Sequence, residues 1–178
     1  MPDVEAGALW VVIAGCSSPV SIGGIVRSAA FFGVDGIVCD GASAANLGGV
    51  ASKVSAGALE KVPVYQGDLL PDLLCKAHEG GWQVLAAGVP EALQSGESLQ
   101  ELSCADLLAR QPGVFPADSG AVLVIGGNWG DLRQELLQCC TAAVVLESPS
   151  EGPLPTPLNT ETAAGIALHA LRSFFAET

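Results

Sequence analysis

The sequence is poor in positive charge. It has seven lysine and arginine residues against 19 aspartate and glutamate residues among 178, so its formal net charge is −12 at pH 7. A surface of that sign repels a polyphosphate at long range, which excludes a broad basic face for nucleic acid. Any contact with nucleic acid must be local, and two of the cations, Arg27 and Lys53, lie in the first third of the chain.

Long apolar runs and targeting signals are also absent. No stretch reaches the roughly 18 to 20 apolar residues that a membrane span requires, because glycine, serine and charged residues interrupt every candidate. The first residues include Asp3 and Glu5, which fits neither a cationic secretory signal nor an arginine-rich transit peptide. We therefore expect an intracellular protein without a membrane partner, cytoplasmic or mitochondrial, that works where it is made or has lost a leader.

The six cysteines form no C-x-x-C pair and no cluster with histidine. This spacing gives no support to a zinc site or a disulfide framework, so we expect no metal. The simplest interpretation is a set of buried free thiols in a reducing compartment.

Several common catalytic motifs are missing as well. Gly15 follows the first apolar run, but neither G-x-G-x-x-G nor a phosphate-binding loop with its lysine is present, which disfavours ordinary NAD or ATP binding. No G-x-S-x-G motif occurs, and His78 and His169 both fall within predicted helices, so a hydrolase triad has no obvious base.

The chain does contain enough apolar material for one core, since 49% of its residues are hydrophobic. Short apolar runs rich in valine and isoleucine alternate with segments of helical periodicity. The runs predict strands at 9–14, 34–39, 62–65, 82–87, 121–125 and 142–146. Helices are predicted at 21–32 with Ser21 as N-cap, 50–59, 69–78, 104–110, 132–140, and from the cap Asn159 to about 176. Residues 40–49 are predicted to be a loop, and 89–119 irregular apart from the short helix.

This alternation predicts an α/β fold with a mostly parallel sheet covered by helices on both faces, in a single domain over residues 1–178 whose first seven residues are flexible. Pro63 suggests either that the third strand lies at an edge of the sheet or that a strand end lies at this proline. In such sheets ligands bind beyond the carboxyl ends of the strands. The loops at 15–21, 88, 126–130 and 147–158 are therefore expected to meet in one site.

Four segments carry a resemblance to a known family: PVSIGGIVRSAAFFGVD at 19–35, SAGALEKVPV at 55–64, VIGGNWGDL at 124–132 and LNTETAAG at 158–165. In this order they resemble the SpoU/TrmH family of RNA 2′-O-ribose methyltransferases, in the SPOUT superfamily, from about residue 9 to 172. The resemblance implies a C-terminal trefoil knot, an exception to the rule against knots. It also implies S-adenosylmethionine bound in the knot, rRNA or tRNA as substrate, and a homodimer or a heterodimer with another SpoU-type subunit. A further N-terminal RNA-binding domain would supply affinity that the acidic surface lacks.

The resemblance assigns roles to individual residues. Arg27 and Asn159 are expected to be catalytic, and Ser21, Arg27 and Lys53 to contact RNA. The expected cofactor-binding residues are Gly88, Gly126, Gly127, Asn128, Leu146, Ser148, Leu158 and Asn159. From the residues alone, Arg27 is equally a surface arginine lying over its own helix, Gly126 and Gly127 equally a tight turn, and Asn159 equally a helix cap.

The chain departs from the family pattern at four positions. Ser21 stands where asparagine is usual, Asn128 replaces a glutamate, and Pro157 and Glu161 each replace a serine. Because a carboxylate near RNA phosphates would repel the substrate, two hypotheses stay open: a methyltransferase, and a catalytically inactive SpoU-like protein that works as a ribosome-assembly or binding module. An unrelated α/β nucleotide-binding domain is a third.

Overall fold

The computed structural model describes residues 2, 4–88, 99–116, 118–128, 131–146 and 158–175. Strands and helices alternate along most of these ranges, and each of the predicted strands overlaps an observed one. The elements are β1 (Leu9–Ile13), α1 (Pro19–Phe31), β2 (Gly36–Cys39), α2 (Gly41–Ala44), α3 (Gly49–Val54), β3 (Val64–Gln66), α4 (Leu70–Glu79), β4 (Gln83–Gly88), β5 (Gln100–Ser103), α5 (Cys104–Leu108), β6 (Ala121–Ile125), α6 (Gln134–Leu137), β7 (Ala142–Val145) and α7 (Thr160–Phe175).

The strands of the described residues form one seven-stranded sheet in the order β3-β2-β1-β6-β4-β7-β5. Every neighbouring pair is parallel, which confirms the α/β prediction. The β3 strand lies at an edge, one of the two possibilities that Pro63 suggested. At the centre, Ile13 of β1 lies beside Ile125 of β6, so the loops that follow these two strands leave the sheet together.

Alternate residues of the central strands enter two cores, one on each face of the sheet. Val11 and Ile13 of β1 pack with α1, α5 and α7, whereas Trp10 and Val12 face α4 and α6. Because both faces are covered, the strands read as continuous apolar runs, and this is why sequence inspection located them.

The first helix begins two residues earlier than predicted. Ser18, not Ser21, is the N-cap: its Oγ accepts a hydrogen bond from the Ser21 backbone N–H at 3.2 Å. Pro19 occupies the first helical position, where its fixed φ angle is favourable and its missing N–H has no cost. Gly33, with φ of +64°, follows the end of the helix as predicted.

Arg172 of α7 fastens the far end of α1 to the N-terminal segment. Its guanidinium donates to the carbonyl oxygens of Phe32 at 2.8 Å, Gly7 at 3.1 Å, and Gly33. Gly7 also donates its N–H to the Ser119 carbonyl at 3.1 Å. The predicted flexibility of residues 1–7 stays a prediction for the segment as a whole.

Two elements correct the sequence prediction. The short helix α2 interrupts the predicted loop at 40–49, because the Asp40 side chain caps it by accepting from the Ser43 N–H at 2.8 Å. Strand β5 lies in the region predicted to be irregular; its first two residues are exposed and polar at the sheet edge. The predicted knot concerns the chain at 147–157, which lies outside the described residues.

The cysteine prediction is wrong for one pair. Cys75 on α4 and Cys139 after α6 form a disulfide with a Cα–Cα distance of 5.1 Å, across 64 residues of sequence. Sequence inspection could not detect it, because the fold rather than a short motif brings the two together. Cys16, Cys39, Cys104 and Cys140 are buried free thiols, as expected.

Candidate functional site

A polar cleft of about 510 Å³ opens at the carboxyl ends of β1 and β6. Three segments that are far apart in sequence form its walls: the β1–α1 loop, the loop after β6, and the start of α7. The lining residues are Gly15, Ser17, Ser18, Ser21, Gly127, Asn128, Asp131, Leu158, Asn159, Thr160 and Glu161. Three of the four loops expected to meet contribute to this cleft.

The β1–α1 wall is held by one carboxylate. Asp40, at the end of β2, accepts from the Gly15 N–H through Oδ2 at 2.9 Å and from the Ser43 N–H through Oδ1 at 2.8 Å. The Ser43 Oγ in turn accepts from the Cys16 N–H at 3.0 Å. Gly15 has φ of +73°, a conformation that favours glycine. This network fixes the backbone that leads to Ser17 and Ser18.

The two glycines after β6 allow close approach to the protein's own backbone. A Cβ on Gly127 would lie 2.7 Å from the Gly15 carbonyl oxygen, and a Cβ on Gly126 would overlap the Asp131 carbonyl oxygen. The loop closes through a hydrogen bond from the Asp131 N–H to the Asn128 carbonyl at 3.1 Å. Gly127 and Asn128 line the cleft, whereas Gly126 is buried beneath them.

The third wall is the N-terminus of α7. Asn159 caps the helix, since its Oδ1 accepts from the Thr162 N–H at 2.9 Å and its carbonyl accepts from the Ala163 N–H at 3.0 Å. This confirms the predicted cap, while the catalytic role of Asn159 stays a prediction. Leu158 beside it is 51% exposed and offers an apolar contact at the cleft rim.

Glu161 lies where the cleft meets a second groove between α1 and α7. Its Cβ would be 2.7 Å from a Cβ on Gly24, so glycine is what lets the two helices approach here. Its Oε2 is buried and has no hydrogen-bond partner among the described residues. Glu161 occupies the first turn of α7. The positive end of the helix macrodipole therefore stabilises its negative charge.

The electrostatic character of the cleft is acidic. Asp131 and Glu161 line it, and no lysine or arginine of the described residues does. The pKa of the nearby Cys16 thiol is raised, first by burial and further by the charges of Glu161 and Asp40, although its backbone interaction with Ser18 opposes this. Cys16 is therefore a packing residue rather than a nucleophile.

The two predicted RNA-binding cations lie outside this cleft. Arg27 is exposed on the outer face of α1, and it makes no hydrogen bond or ion pair within the part of the chain that the structure describes. Lys53 is exposed on α3, which packs against α1 where Gly23 meets Val54. Both cations are accessible to a partner molecule.

The remaining predicted cofactor residues lie farther along the sheet edge. Gly88 ends β4 beside Val145 of β7, and Leu146 follows directly. Gly88 is buried and Leu146 is half-buried. Neither lines the cleft at β1 and β6. Ser148 lies outside the described residues.

Four polar residues of the cleft were not among the predicted site residues: Ser17, Ser18, Asp131 and Thr160. Ser18 did carry a signal, because a serine followed by proline is a recognisable helix start. Asp131 had no local signal, because it reaches the cleft only through the turn that Gly126 permits.

A parallel sheet with a polar cleft beyond the carboxyl ends of its central strands is typical of α/β proteins that bind small molecules at their strand ends. The family model described as "SpoU rRNA Methylase family" matches residues 8–169. The chain therefore belongs to the SpoU/TrmH family of RNA methyltransferases.

Two relatives illustrate the similarity in sequence. The human "rRNA methyltransferase 1, mitochondrial" is 33% identical over 176 residues, which are 97% of this chain and 47% of that protein. The "23S rRNA (guanosine-2'-O-)-methyltransferase RlmB" of Shewanella oneidensis is 28% identical over 158 residues, 89% of this chain and 56% of that protein. The chain thus spans about half the length of these relatives.

Two solved structures share the fold. The SpoU methyltransferase AviRb from Streptomyces viridochromogenes, in complex with the cofactor AdoMet, aligns with a TM-score of 0.70 at 20% identity and covers 96% of this chain and 58% of that one. The A. aeolicus TrmH/SpoU tRNA modifying enzyme aligns with a TM-score of 0.71 at 20% identity, over 97% and 79% of the two chains.

Proposed function

We propose that this chain is the catalytic domain of an S-adenosylmethionine-dependent 2′-O-ribose methyltransferase that acts on ribosomal or transfer RNA. The observation that carries the proposal is that three family segments line one cleft. The names of the human and Shewanella relatives give rRNA as their substrate. Because those relatives are about twice as long, a further RNA-binding domain belongs to the proposal.

The cleft suits a nucleoside-sized cofactor. Its 510 Å³ falls within the range of about 300 to 1,000 Å³ that small-molecule sites occupy. Asn128 offers amide groups to a base or ribose, and the Asp131 carboxylate can accept from an amino group. When bound, S-adenosylmethionine supplies a methyl group already activated on a sulfonium. The protein's main task is then to align the ribose hydroxyl with that methyl group.

Arg27 and Lys53 are proposed to hold the RNA. A free guanidinium grips a phosphate with two parallel hydrogen bonds, and it also stabilises the oxyanion that forms as a ribose hydroxyl loses its proton. The absence of an intramolecular partner for Arg27 among the described residues supports such a role. Ser21, on the same helix and lining the cleft, can accept or donate a hydrogen bond to the same nucleotide.

A second SpoU-type subunit, identical or not, is proposed to cover the α1–α7 face. Phe31 on this face is 82% exposed and Ile166 is 39% exposed, which is unfavourable in water. Gly24, Ser28 and Gly165 line a groove of about 530 Å³ between the helices. Gly24 and Gly165 let α1 and α7 pack closely beneath this groove. The dimer would bury Phe31 and leave the acidic remainder of the surface in solvent.

The trefoil knot and the compartment complete the proposal. The family resemblance supports a knot that involves the chain at 147–157, with Ser148, Gly88 and Leu146 beside the adenosine group. No helix of the described residues is long and apolar enough to cross a membrane. The mitochondrial relative supports work inside the cell, in mitochondria or cytoplasm.

The test is a methylation assay with radiolabelled S-adenosylmethionine and candidate rRNA and tRNA, followed by alkaline hydrolysis. A 2′-O-methyl group blocks cleavage of its own phosphodiester, so label should appear in alkali-stable dinucleotides. Arg27→Ala should slow transfer at least about 100-fold while cofactor affinity stays within about twofold. Lys76→Ala, which removes one positive charge on the opposite face of the sheet, should behave as wild type.

The same assay decides on the non-catalytic alternative. The feature that favours it is Glu161, whose carboxylate lies at the cleft where RNA phosphates would approach. Cofactor binding without transfer to any RNA would contradict the proposed activity and support a binding module. Absence of cofactor binding would contradict the cofactor proposal itself.

A further inference from the structure

One of the six cysteines is far more accessible than the others. Cys75 is exposed on α4, and its disulfide partner Cys139 is 7% exposed in the turn after α6. Their Cα atoms are 5.1 Å apart, a separation typical of protein disulfides. A reagent in solution can therefore reach one sulfur, and the second lies behind it.

The buried thiols are poor candidates for redox chemistry. Burial raises the pKa of Cys39 to about 12 and that of Cys104 to about 11, and the pKa of Cys16 is raised as well. Since thiolates are the reactive species, these three stay inert at neutral pH. Among the cysteines of the described part of the chain, Cys75 is the one that solvent reaches directly, so thiol exchange is expected to begin there.

The disulfide fastens the segment that leads away from the cleft. Asp131 lines the cleft, α6 follows after two residues, and Cys139 comes shortly after α6. Helix α6 has four residues, of which Leu136 alone is buried. Besides the covalent bond to α4, the segment is held by this leucine, by the partly buried Leu132 and Leu137, and by the packing of Cys139 in the same core.

The fold also accommodates the reduced state. Sγ of Cys139 lies 3.4 Å from the Pro71 carbonyl oxygen and 3.6 Å from that of Glu135. The thiol formed on reduction can donate to either carbonyl without rearrangement of the turn. Reduction therefore removes a tether but leaves no buried donor unsatisfied.

We propose that Cys75 and Cys139 form a reversible thiol–disulfide switch that fixes or releases the segment from Asp131 to Cys139 beside the cleft. The oxidant is a small-molecule disulfide such as oxidised glutathione. The Cys75 thiolate attacks one sulfur of the oxidant, forms a mixed disulfide and releases one glutathione thiolate, which takes up a proton. The Cys139 thiolate then attacks Cys75 Sγ and releases the second glutathione thiolate. The protein loses two protons and two electrons, and one oxidised glutathione becomes two reduced ones.

The consequence for the cleft rests on the proposed function. In the oxidised protein the disulfide restrains the chain that follows Asp131, and the cofactor site is preorganised. Reduction lets this segment fluctuate, so S-adenosylmethionine should bind more weakly.

The test uses the full chain equilibrated in oxidised or reduced glutathione, with two readouts that need no cofactor. Alkylation and peptide mass spectrometry should find a Cys75–Cys139 cross-link in the oxidised sample, reversed by excess reduced glutathione. Amide hydrogen exchange of peptides within 131–139 should be at least about tenfold faster in the reduced sample. Cys75→Ser should exchange rapidly in both buffers, whereas Cys104→Ser should respond as wild type does.

Absence of the cross-link in oxidised glutathione would overturn the proposal, as would equal exchange rates in the two buffers. Cofactor titrations on the same samples separate this inference from the proposed function. A protein that shows the cross-link and the exchange difference but binds no S-adenosylmethionine in either buffer has the switch and lacks the proposed activity.

Discussion

Replacing Gly127 with alanine tests the contact that brings the first two walls of the cleft together. The new Cβ would lie 2.7 Å from the Gly15 carbonyl oxygen, closer than van der Waals contact allows. Gly15 cannot yield easily, because its N–H is bound to Asp40 at 2.9 Å. Overpacking of this kind costs about 1 to 3 kcal/mol. For a domain of this size the melting temperature should fall by about 2 to 12 °C.

Gly49→Ala is the matched control. Gly49 begins α3, and no described atom lies within 4 Å of its Cβ position. Alanine there should leave the melting temperature unchanged or slightly higher. Calorimetry with S-adenosylmethionine should show at least a tenfold weaker affinity for Gly127→Ala and no change for the control. Equal stability and equal affinity of the two variants would refute the close-packed cleft.

Three further predictions concern the charge of Glu161, the hydrogen bonds of Arg172 and the pH dependence of stability. Glu161→Ser removes a negative charge whose repulsion of a neighbouring phosphate amounts to about 1 kcal/mol. RNA affinity should therefore rise about fivefold in filter-binding assays, with no rise for the control Glu135→Ser on α6. Arg172→Ala loses three hydrogen bonds to carbonyl groups. The free energy of unfolding in urea should fall by about 2 to 4 kcal/mol, and a fall below about 0.5 kcal/mol would contradict the stabilising role of Arg172. Burial raises the pKa of Cys39 to about 12 and of Cys104 to about 11. The unfolded chain therefore loses these protons first, and stability should fall from about pH 9 toward pH 11, by about 1.4 kcal/mol per pH unit for each thiol. Cys39→Ala should flatten that slope, and an unchanged slope would count against the assignment.

The central strands could be predicted because they are buried on both faces. The run at β6 is bounded by glycines and contains only apolar residues, so its limits were predicted to the residue. Strand β5 escaped detection because its exposed, polar Gln100 and Glu101 lie at the sheet edge. Such a strand is defined by its neighbour β7, and single-sequence periodicity carries no trace of that neighbour.

The candidate site was predictable where motif and loop coincide. Gly127, Asn128, Leu158 and Asn159 were expected from their segments, and the structure brings all four to one cleft with Ser21. The relation of Glu161 to Gly24 was not predictable, because it depends on how closely α7 packs on α1. The position of Arg27 outside the cleft likewise depends on the direction of a side chain, which sequence spacing does not determine.

The most direct test of the central claim is the map of amide chemical-shift changes when S-adenosylmethionine is titrated into the isotope-labelled protein. The account predicts the largest changes at Gly15 to Ser18, at Gly127 and Asn128, and at Leu158 to Thr160. Changes are also expected at Gly88 and Leu146, with little change at α4. Changes confined to other surfaces, or none at saturating cofactor, would contradict it.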